Sequence, residues 1–356
     1  MRRLVLLGAV VAWAMTLGTA SGGAAAAPVI ASVADIGMTV HDLDRSVQFF
    51  TEVLEFRVLS EAEYSGEEWE RLTGVFGLRM RVARLALGDE QIELTQYLAP
   101  EGRPIPADAK SNDLAFQHIA IITPDMDRAY ARLREHHVRH ASSGPQTLPE
   151  WNPNAGGIKA FYFKDPDGHA LEVLQFPPGK GDAKWPALET ANPGSLFLGI
   201  DHTAIVVGET AASLRFYRDT LGLRVVGESE NFGTEQEHLN NVFGARVRIT
   251  ALRAEAGPGV ELLEYLAPPS GRAAPIDSAA NDLWHWHVRM VALRKPPVTF
   301  PASRGEPGWG VVRWVSPGWA EFPTNPLFAS GISLKDPDGH VVQVVIAGPG
   351  IGEASP

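Results

Sequence analysis

The chain lacks two features that would each point to a class of protein. Its 356 residues include no cysteine, which excludes disulfide bonds, thiol catalysis and cysteine-type zinc sites. It has no run of basic residues, and its net charge of −11 disfavours binding to nucleic acid. The remaining composition, 45% hydrophobic and 21% charged, is that of a soluble protein with enough material for two domains.

The chain also lacks an apolar run as long as the roughly 20 residues that a membrane-spanning helix needs. In residues 1–27 a basic start, Arg2 and Arg3, is followed by a shorter apolar run and then by "GTASGGAAAA". This order is typical of a signal peptide with cleavage near Ala27, and a transmembrane anchor is the alternative. We therefore expect a secreted or periplasmic protein that has no stable membrane association after cleavage.

An internal repeat is the most informative feature of the sequence. "FYFKDPDGHALEVLQF" (161–176) recurs as "ISLKDPDGHVVQVVIA" (332–347), and "IELTQYLAP" (92–100) recurs as "VELLEYLAP" (260–268). Each DPDG tetrapeptide predicts a tight turn into a last strand. The predicted organisation is a signal peptide at 1–27, a first module at 28–178, a linker at 179–198, a second module at 199–348 and a tail at 349–356.

Each module contains two smaller units, in which a strand is followed by a helix and then by further strands. The helix of the second unit is predicted to have Thr123 as its capping residue and Pro124 as its first helical residue. The helix of the third unit is predicted to stop at Gly222. In the fourth unit, prolines and glycines in "RKPPVTFPASRGEPGWG" (294–310) exclude a comparable helix.

Four such units, with "HTAIVV", "SLRFYRDTLGLRVV" and "FYFKDPDGHALEVLQF", resemble the vicinal oxygen chelate superfamily. This superfamily includes glyoxalase I, methylmalonyl-CoA epimerase, extradiol dioxygenases and bleomycin-binding proteins. The resemblance implies an α+β fold in which four βαβββ units pair into two cupped, incomplete β-barrels. It also implies that one residue from the first strand and one from the last strand of each unit hold a divalent metal ion.

Carried over residue by residue, the resemblance gives one pair of candidate ligands in each unit: Asp35 and Glu93, His118 and Glu172, His202 and Glu261, His287 and Gln343. Asp35 stands where His is usual, and Gln343 where Glu is usual. Pairing the two middle units gives a complete metal site of His118, Glu172, His202 and Glu261, and leaves a degenerate second site of Asp35, Glu93, His287 and Gln343. We favour this exchanged pairing because it places both departures in one site.

Pairing within each half is the alternative, and it would give two mixed sites. One would contain Asp35, Glu93, His118 and Glu172, and the other His202, Glu261, His287 and Gln343.

The residues themselves support a buried cation. Glu172 lies mid-strand in "HALEVLQF", where an unpaired carboxylate would cost several kcal/mol. Glu93 and Glu261 have similar surroundings, and either a metal ion or a buried basic group would satisfy them. Two imidazoles and two carboxylates suit Zn, Ni, Mn, Co or Fe(II). Singly, each residue also fits a simpler interpretation, a histidine satisfied in the core or a glutamate paired with an arginine.

The resemblance implies an enzyme that chelates a small oxygenated molecule on one divalent metal ion, with Glu172 or Glu261 transferring a proton as in glyoxalase-like or epimerase-like lyases and isomerases. An Fe(II) extradiol dioxygenase is an alternative that Gln343 weakens. A metal-free protein that binds an antibiotic-like molecule is a further alternative. Export disfavours substrates that contain glutathione or coenzyme A, and we expect a monomer or a homodimer with a small-molecule substrate and no nucleic-acid partner.

Tryptophans are concentrated in the fourth unit, where Trp284 and Trp286 alternate with His285 and His287. The alternation fits a polar outer face as well as it fits a site. The indoles are expected in ordinary core packing, and an apolar pocket wall is the alternative.

Overall fold

Two β-sheets of nine strands each form the protein, and each sheet takes one unit from each half of the chain. The computed structural model describes residues 29–295 and 313–348. Units two and three build one sheet, called the inner sheet here, and units one and four build the other, the outer sheet. The predicted exchange of units between halves is confirmed, and pairing within halves is wrong.

The first half contributes units one and two. Unit one consists of β1 Ile30–Thr39, α1 Leu43–Glu52, β2 Arg57–Ser65, α2 Glu67–Thr73, β3 Arg79–Leu87 and β4 Glu90–Ala99. Unit two consists of β5 Gln117–Ile122, α3 Met126–Glu135, β6 Arg139–His140, β7 Gln146–Thr147, β8 Lys159–Lys164 and β9 Ala170–Gln175.

The second half follows helix α4, Lys184–Ala191, which lies within the predicted linker. Unit three consists of β10 Gly199–Val207, α5 Thr210–Leu214 continued by a π-helix at Arg215–Thr220, β11 Arg224–Phe232, α6 Thr234–Asn240, β12 Arg246–Arg253 and β13 Gly259–Ala267. Unit four consists of β14 Trp286–Ala292, β15 Arg313–Trp314, β16 Ala320–Glu321, β17 Phe328–Lys335 and β18 Val341–Ala347.

The strand order explains where a site can form. The inner sheet runs β11-β12-β13-β10-β5-β9-β8-β6, with β7 on β8, and the outer sheet runs β15-β17-β18-β14-β1-β4-β3-β2, with β16 on β17. Antiparallel pairs β10–β5 and β1–β14 join the two units of a sheet, and each of these strands lies parallel to the last strand of its own unit. The candidate ligand positions therefore meet at the centre of each sheet.

The predicted helix boundaries are partly wrong. Helix α3 begins at Met126, and its N-cap is Asp125, whose side chain accepts hydrogen bonds from the backbone of Asp127 and Arg128. The Thr123 hydroxyl instead contacts the backbone of Asp125, so Thr123 is not the cap. Gly222 follows the end of the third helix with φ 88°, as predicted. The predicted signal peptide, the tail and most of segment 294–310 lie outside the described residues.

The repeated DPDGH segment forms a turn that connects the two sheets. Asp165 Oδ1 accepts hydrogen bonds from the backbone N–H groups of Asp167, Gly168 and His169 at 3.0, 2.7 and 2.8 Å. Gly168 has φ 110°, a conformation that glycine adopts without strain. Asp167 Oδ2 then accepts the backbone N–H of His41 in unit one, and Asp338 in the second copy accepts that of Gly208 in unit three. Each turn thus joins one sheet to the other.

Two loops also bind the halves together. Arg103 of the first half makes hydrogen bonds with Asp282 and Asp277 of the second half, and Arg272 makes equivalent bonds with Asp113 and Asp108. The loops are close enough that a Cβ on Gly102 would lie 1.7 Å from the Asn281 carbonyl oxygen. Within the described ranges, no helix has the length and apolar character required to cross a membrane.

Candidate metal centre

The four ligands predicted for the complete site meet at the centre of the inner sheet. They lie on β5 (His118), β9 (Glu172), β10 (His202) and β13 (Glu261), and their burial is nearly complete except at Glu261, whose side chain is 22% exposed. Glu172 Oε2 lies 3.1 Å from His118 Nε2 and 3.8 Å from His202 Nε2. Ligand atoms of His118, Glu172 and His202 lie within 4.8 Å of one another, an arrangement that suits one ion.

Glu261 lies at the edge of this three-residue cluster. Its Oε2 is 3.3 Å from His202 Nε2, and it is not part of the group of mutually close ligand atoms. Burial raises the pKa of Glu261, although the neighbouring His202 opposes that shift. A carboxylate of raised pKa beside a metal position is suited to accept and return a proton.

Asp201 orients His202, and sequence reasoning missed it. The Asp201 Oδ2 atom lies 2.9 Å from His202 Nδ1, and Arg253 donates to Asp201 Oδ1 at 2.9 Å. Adjacent residues on a strand normally face opposite sides, but a β-bulge between Ile200 and His202 brings these two side chains together. The bond leaves Nε2 facing the cluster, and the acid immediately before His202 in "DHTAIVV" was the available signal.

In the outer site, the four predicted residues surround a positively charged side chain. Asp35, Glu93, His287 and Gln343 come together as predicted, but around the guanidinium of Arg289. Arg289 is 3% exposed, and its donors lie 2.8 Å from Asp35, 2.8 Å from Glu93, 3.2 Å from His287 Nε2 and 3.1 Å from Gln343. Of the two partners left open for Glu93, a metal ion or a basic group, the basic group is the one present.

Register identifies the residue that replaces Arg289 in the inner sheet. Arg289 lies opposite Asp35 in the outer sheet, and Ala120 lies opposite His202 in the inner sheet. Among the described residues, Glu172 has ion-pair partners only in His118 and His202. The inner site therefore has the same kind of acidic and imidazole donors without the guanidinium, and these donors fit a divalent cation.

The pKa shifts of the site residues also indicate that the inner site favours a positive charge. Burial lowers the pKa of His202, but Glu261 and then Asp201 outweigh it and raise the pKa to about 9. In the outer site, burial opposes ionisation of Glu93, but Arg289 lowers its pKa to about 2. Arg289 thus supplies the positive charge beside Glu93 in the outer site, whereas in the inner site the acids favour positive charge at the position of His202.

A cavity of about 210 Å³ opens onto the inner cluster. Its walls are mainly aliphatic, with Tyr162 beside His118 at 4.8 Å between ring centroids. The polar groups in the lining, besides the cluster, Glu261, Asp201 and the Tyr162 hydroxyl, are three amides, one further hydroxyl and one further acid: Asn154, Glu228, Ser229, Asn231 and Gln236. Within the part of the chain that the structure describes, neither lysine nor arginine lines this cavity.

Trp284 and Trp286 do not line the cavity over the metal centre; they border a separate cavity between the two loops. His287 faces inward and contacts Arg289, so the interpretation of this histidine as part of a polar outer face is wrong. Arg289 is a second site residue, besides Asp201, that the sequence analysis did not identify. Its signal was a basic residue two positions after His287, on the same face of an otherwise apolar strand.

Comparison with known proteins identifies the family. The family model for the Glyoxalase/Bleomycin resistance protein/Dioxygenase superfamily matches residues 31–173 and 199–344, which are most of both halves. The chain therefore belongs to this superfamily, and the family model matches it twice in tandem, once in each module.

Individual relatives differ in reaction. A 2-epi-5-epi-valiolone epimerase from an Actinomyces species is 32% identical over 157 residues, which are 43% of this chain and 83% of the relative. A lactoylglutathione lyase of Arabidopsis thaliana is 25% identical over 230 residues, which are 64% of this chain and 66% of the relative. The relatives with assigned reactions are enzymes that act on small molecules.

Solved structures share the architecture. Glyoxalase I from Zea mays superposes with a TM-score of 0.52 at 15% identity, covering 88% of this chain and 92% of the maize chain. A dioxygenase-like protein from Bacillus subtilis gives a TM-score of 0.52 at 13% identity, with coverage of 92% and 88%. At these identities the likeness concerns the fold alone.

Proposed function

We propose that the protein is a metal-dependent isomerase or lyase that transfers a proton on a small, uncharged substrate with neighbouring oxygen atoms. The observation that carries the proposal is the buried His118, Glu172 and His202 cluster with Glu261 at its edge, present in only one of two equivalent sites. His118, Glu172 and His202 would hold one divalent ion from the set Zn, Ni, Mn, Co and Fe(II).

An ion held by His118, Glu172 and His202 would supply Lewis acidity, which stabilises negative charge that develops on substrate oxygen. Glu261 accepts the proton from the carbon beside the carbonyl group and returns it, because its carboxylate borders the cluster and its pKa is raised by burial. Asp201 holds His202 in one orientation, and the aliphatic walls offer apolar contact to the carbon skeleton of the substrate.

The charge of the cavity defines the substrate class. Glutathione conjugates and coenzyme A esters carry several negative charges, which a site for them must pair with basic groups. The described lining contributes Glu228 and no lysine or arginine. An uncharged polyhydroxylated ketone or hydroxyketone fits this lining, and the epimerase among the relatives carries the name of a sugar-like ketone.

Deuterium exchange tests the reaction. The metal-loaded protein is incubated in D2O with uncharged cyclic hydroxyketones and, separately, with the hemithioacetal of methylglyoxal and glutathione, and exchange at carbon is followed by NMR. We expect metal-dependent exchange on a hydroxyketone that falls by at least about 100-fold in Glu261→Gln while metal stoichiometry stays unchanged.

The same experiment separates the alternatives. Faster turnover of the hemithioacetal would contradict the substrate class, and oxygen uptake on a catechol with Fe(II) would favour a dioxygenase. A protein that retains less than about 0.2 ion per chain after supplementation, against the one expected for such a donor set, would instead be a metal-free binding protein.

We also propose that the chain is exported and that residues 1–27 are removed. Support comes from their basic, apolar and small-residue order. N-terminal sequencing of protein from the native host tests this, and an N-terminus that still includes Arg2 would contradict it.

A further inference from the structure

A second cavity lies where the two halves meet, away from the metal centre. Its volume is about 220 Å³, and none of its lining residues also lines the cavity over the metal centre. The walls come from the loop before β5 in the first half, the end of β8 with its turn, and the loop before β14 in the second half. We call it the junction cavity and define it by Phe116, Lys164, Trp284 and Trp286.

Two indoles form a flat apolar wall of the junction cavity. Trp286 is 6% exposed, and the His169 ring contacts it edge-on with centroids 5.4 Å apart. Trp284 Nε1 donates to Ser278 Oγ at 3.1 Å, and the Arg103 guanidinium lies 4.8 Å from the centre of its ring. Fixed aromatic walls of this kind favour a planar apolar ligand, because little side-chain freedom is lost on binding.

Lys164 is the half-buried lysine beside this wall, whereas Lys110, which also lines the cavity, is exposed to solvent. Lys164 is half-buried at the end of β8, and no hydrogen-bond acceptor or carboxylate among the described residues contacts its ammonium group. Burial, followed by repulsion from Arg139 on the neighbouring strand, lowers the pKa of Lys164. Arg272 also lines the cavity, but Asp108 and Asp113 bind its guanidinium. A bound anion would relieve an unfavourable charge at Lys164.

The internal repeat provides a comparison within the molecule. Lys335 occupies the position of Lys164 in the other DPDG copy, and its Nζ donates to the Ser278 carbonyl oxygen at 3.0 Å. The cavity beside Lys335 has a volume of only about 40 Å³. The two lysines are equivalent in the repeat but differ in their surroundings. Lys335 is hydrogen-bonded beside a very small cavity, whereas Lys164 faces the larger junction cavity.

We propose that the junction cavity is a binding site for a small organic anion with a flat apolar body, such as an aromatic carboxylate. The carboxylate pairs with Lys164, and the ring lies against Trp284 and Trp286. This site is separate from the metal centre and does not depend on the reaction proposed there.

Calorimetric titration with a charged and an uncharged probe tests the proposal. The full-length protein is titrated with 1-naphthaleneacetate and with 1-naphthaleneacetamide, which has the same ring and no charge. We expect saturable one-to-one binding of the acetate and at least about tenfold weaker binding of the amide, because a hydrogen bond to a charged group is the stronger kind.

Variants of the two equivalent lysines complete the test. Lys164→Gln is expected to weaken acetate binding by about tenfold and to leave amide binding unchanged, and Lys164→Arg is expected to restore it. Lys335→Gln is the matched control and should bind the acetate as the unaltered protein does. The proposal is overturned if neither probe gives saturable heat, if acetate and amide bind equally, or if both glutamine variants lose the same affinity.

Discussion

At the scale of single residues, Arg289 and Ala120 distinguish the two sites of the molecule. Both sites collect imidazole and carboxylate groups from four strands, and both sheets place the four candidate ligands at equivalent positions. A long basic side chain fills the outer site, whereas a methyl group leaves space in the inner one. One position on the strand that joins the units therefore decides whether a guanidinium or open space lies among the four candidate ligands.

Removing the buried guanidinium tests this interpretation. Arg289→Ala leaves the buried Asp35 and Glu93 with only the looser contact of Arg84, whose guanidinium lies 3.9 Å from Asp35 Oδ2, so we expect the free energy of unfolding to fall by about 3–5 kcal/mol in urea denaturation. Arg246→Ala is the control, because Arg246 pairs with Glu230 at the surface and should change stability by at most about 1 kcal/mol. Added Zn²⁺ should raise the unfolding temperature of Arg289→Ala more than that of the unaltered protein. Equal stability of the two arginine variants would contradict the role of Arg289.

The bond between Asp201 and His202 predicts an effect on metal affinity. Asp201→Asn removes the carboxylate that fixes the imidazole, and such partners are typically worth about 10–100-fold in affinity. Competition against a chromophoric chelator measures the dissociation constant. Asp219→Asn alters an exposed aspartate paired with Arg218 and should leave the constant unchanged. Unchanged affinity in Asp201→Asn would show that the bulge, and not the carboxylate, orients His202.

The sequence predicted the ligands but not their partners, for a physical reason. His118, Glu172, His202 and Glu261 occupy repeated positions in repeated units, so resemblance alone located them. Asp201 and Arg289 each occur in one unit only, and their roles depend on a bulge and on cross-strand register. Neither of these is encoded by local spacing.

At the scale of elements, the DPDGH turn does more than reverse the chain. His169 Nδ1 lies 2.8 Å from Asp165 Oδ2, and its Nε2 lies 2.7 Å from the Leu283 carbonyl oxygen. Both ring nitrogens thus face acceptors, which favours the doubly protonated imidazolium. The turn therefore contains a buried ion pair between Asp165 and His169, and His169 also binds the loop of the second half through the Leu283 carbonyl oxygen.

This ion pair predicts how stability depends on pH. Burial lowers the pKa of His169 and of His340, but Asp165 and Asp336 outweigh it and raise both pKa values. Their stabilisation is complete below about pH 6.5, the unfolded value, and is lost as the pH rises through the folded pKa. The aspartates have lowered pKa values, so their stabilisation is present above about pH 4 and is lost as the pH falls through the folded pKa.

Denaturation between pH 5 and about pH 9 measures the histidine contribution. The double variant His169→Gln and His340→Gln should be less stable at pH 5.5, and the difference from the unaltered protein should shrink as the pH rises. His136→Gln changes an exposed histidine at the end of α3 and should leave the curve in place. A difference that stays constant across this range would show that the two histidines are neutral in the fold.

Element prediction succeeded where one signal was dominant. Gly222 was the correct stop because its backbone adopts a conformation that other residues avoid. The start of α3 was misplaced because Thr123 and Asp125 are both capping residues, and only the geometry shows that Asp125 reaches two backbone N–H groups. Helix α4 was missed because its flanking prolines and glycines suggested a linker, although Trp185 is buried.

At the scale of the whole molecule, the two halves are interlocked. Neither half contains a complete sheet, and the arginine loops cross from each half to the other. The sequence correctly favoured pairing of units from different halves, because this pairing gives one complete and one degenerate set of candidate ligands. The crossing loops were not predicted, since the partners of Arg103 and Arg272 are more than 150 residues away.

Close contact between these loops makes a prediction about glycine. Gly102→Ala would place a methyl group 1.7 Å from the Asn281 carbonyl oxygen, so we expect a loss of about 1–3 kcal/mol in urea denaturation. Gly271→Ala should behave alike, because its Cβ would lie 1.8 Å from the Asn112 carbonyl oxygen. Gly144→Ala is the matched control, with no atom within 4 Å of the added Cβ. If all three variants have the same free energy of unfolding as the unaltered protein, the loops are not tightly packed.

The guanidinium of the outer sheet has a consequence for the order of assembly. Arg289 is part of the chain, so the positive charge that neutralises Asp35 and Glu93 is present as soon as the chain is synthesised. The outer sheet therefore needs no bound ion to form. The inner sheet is connected to the outer sheet by the same chain, by the two DPDGH turns and by the two arginine loops. We therefore expect the polypeptide to fold without an ion, so that under the proposed function a chelator should abolish turnover and leave the fold intact.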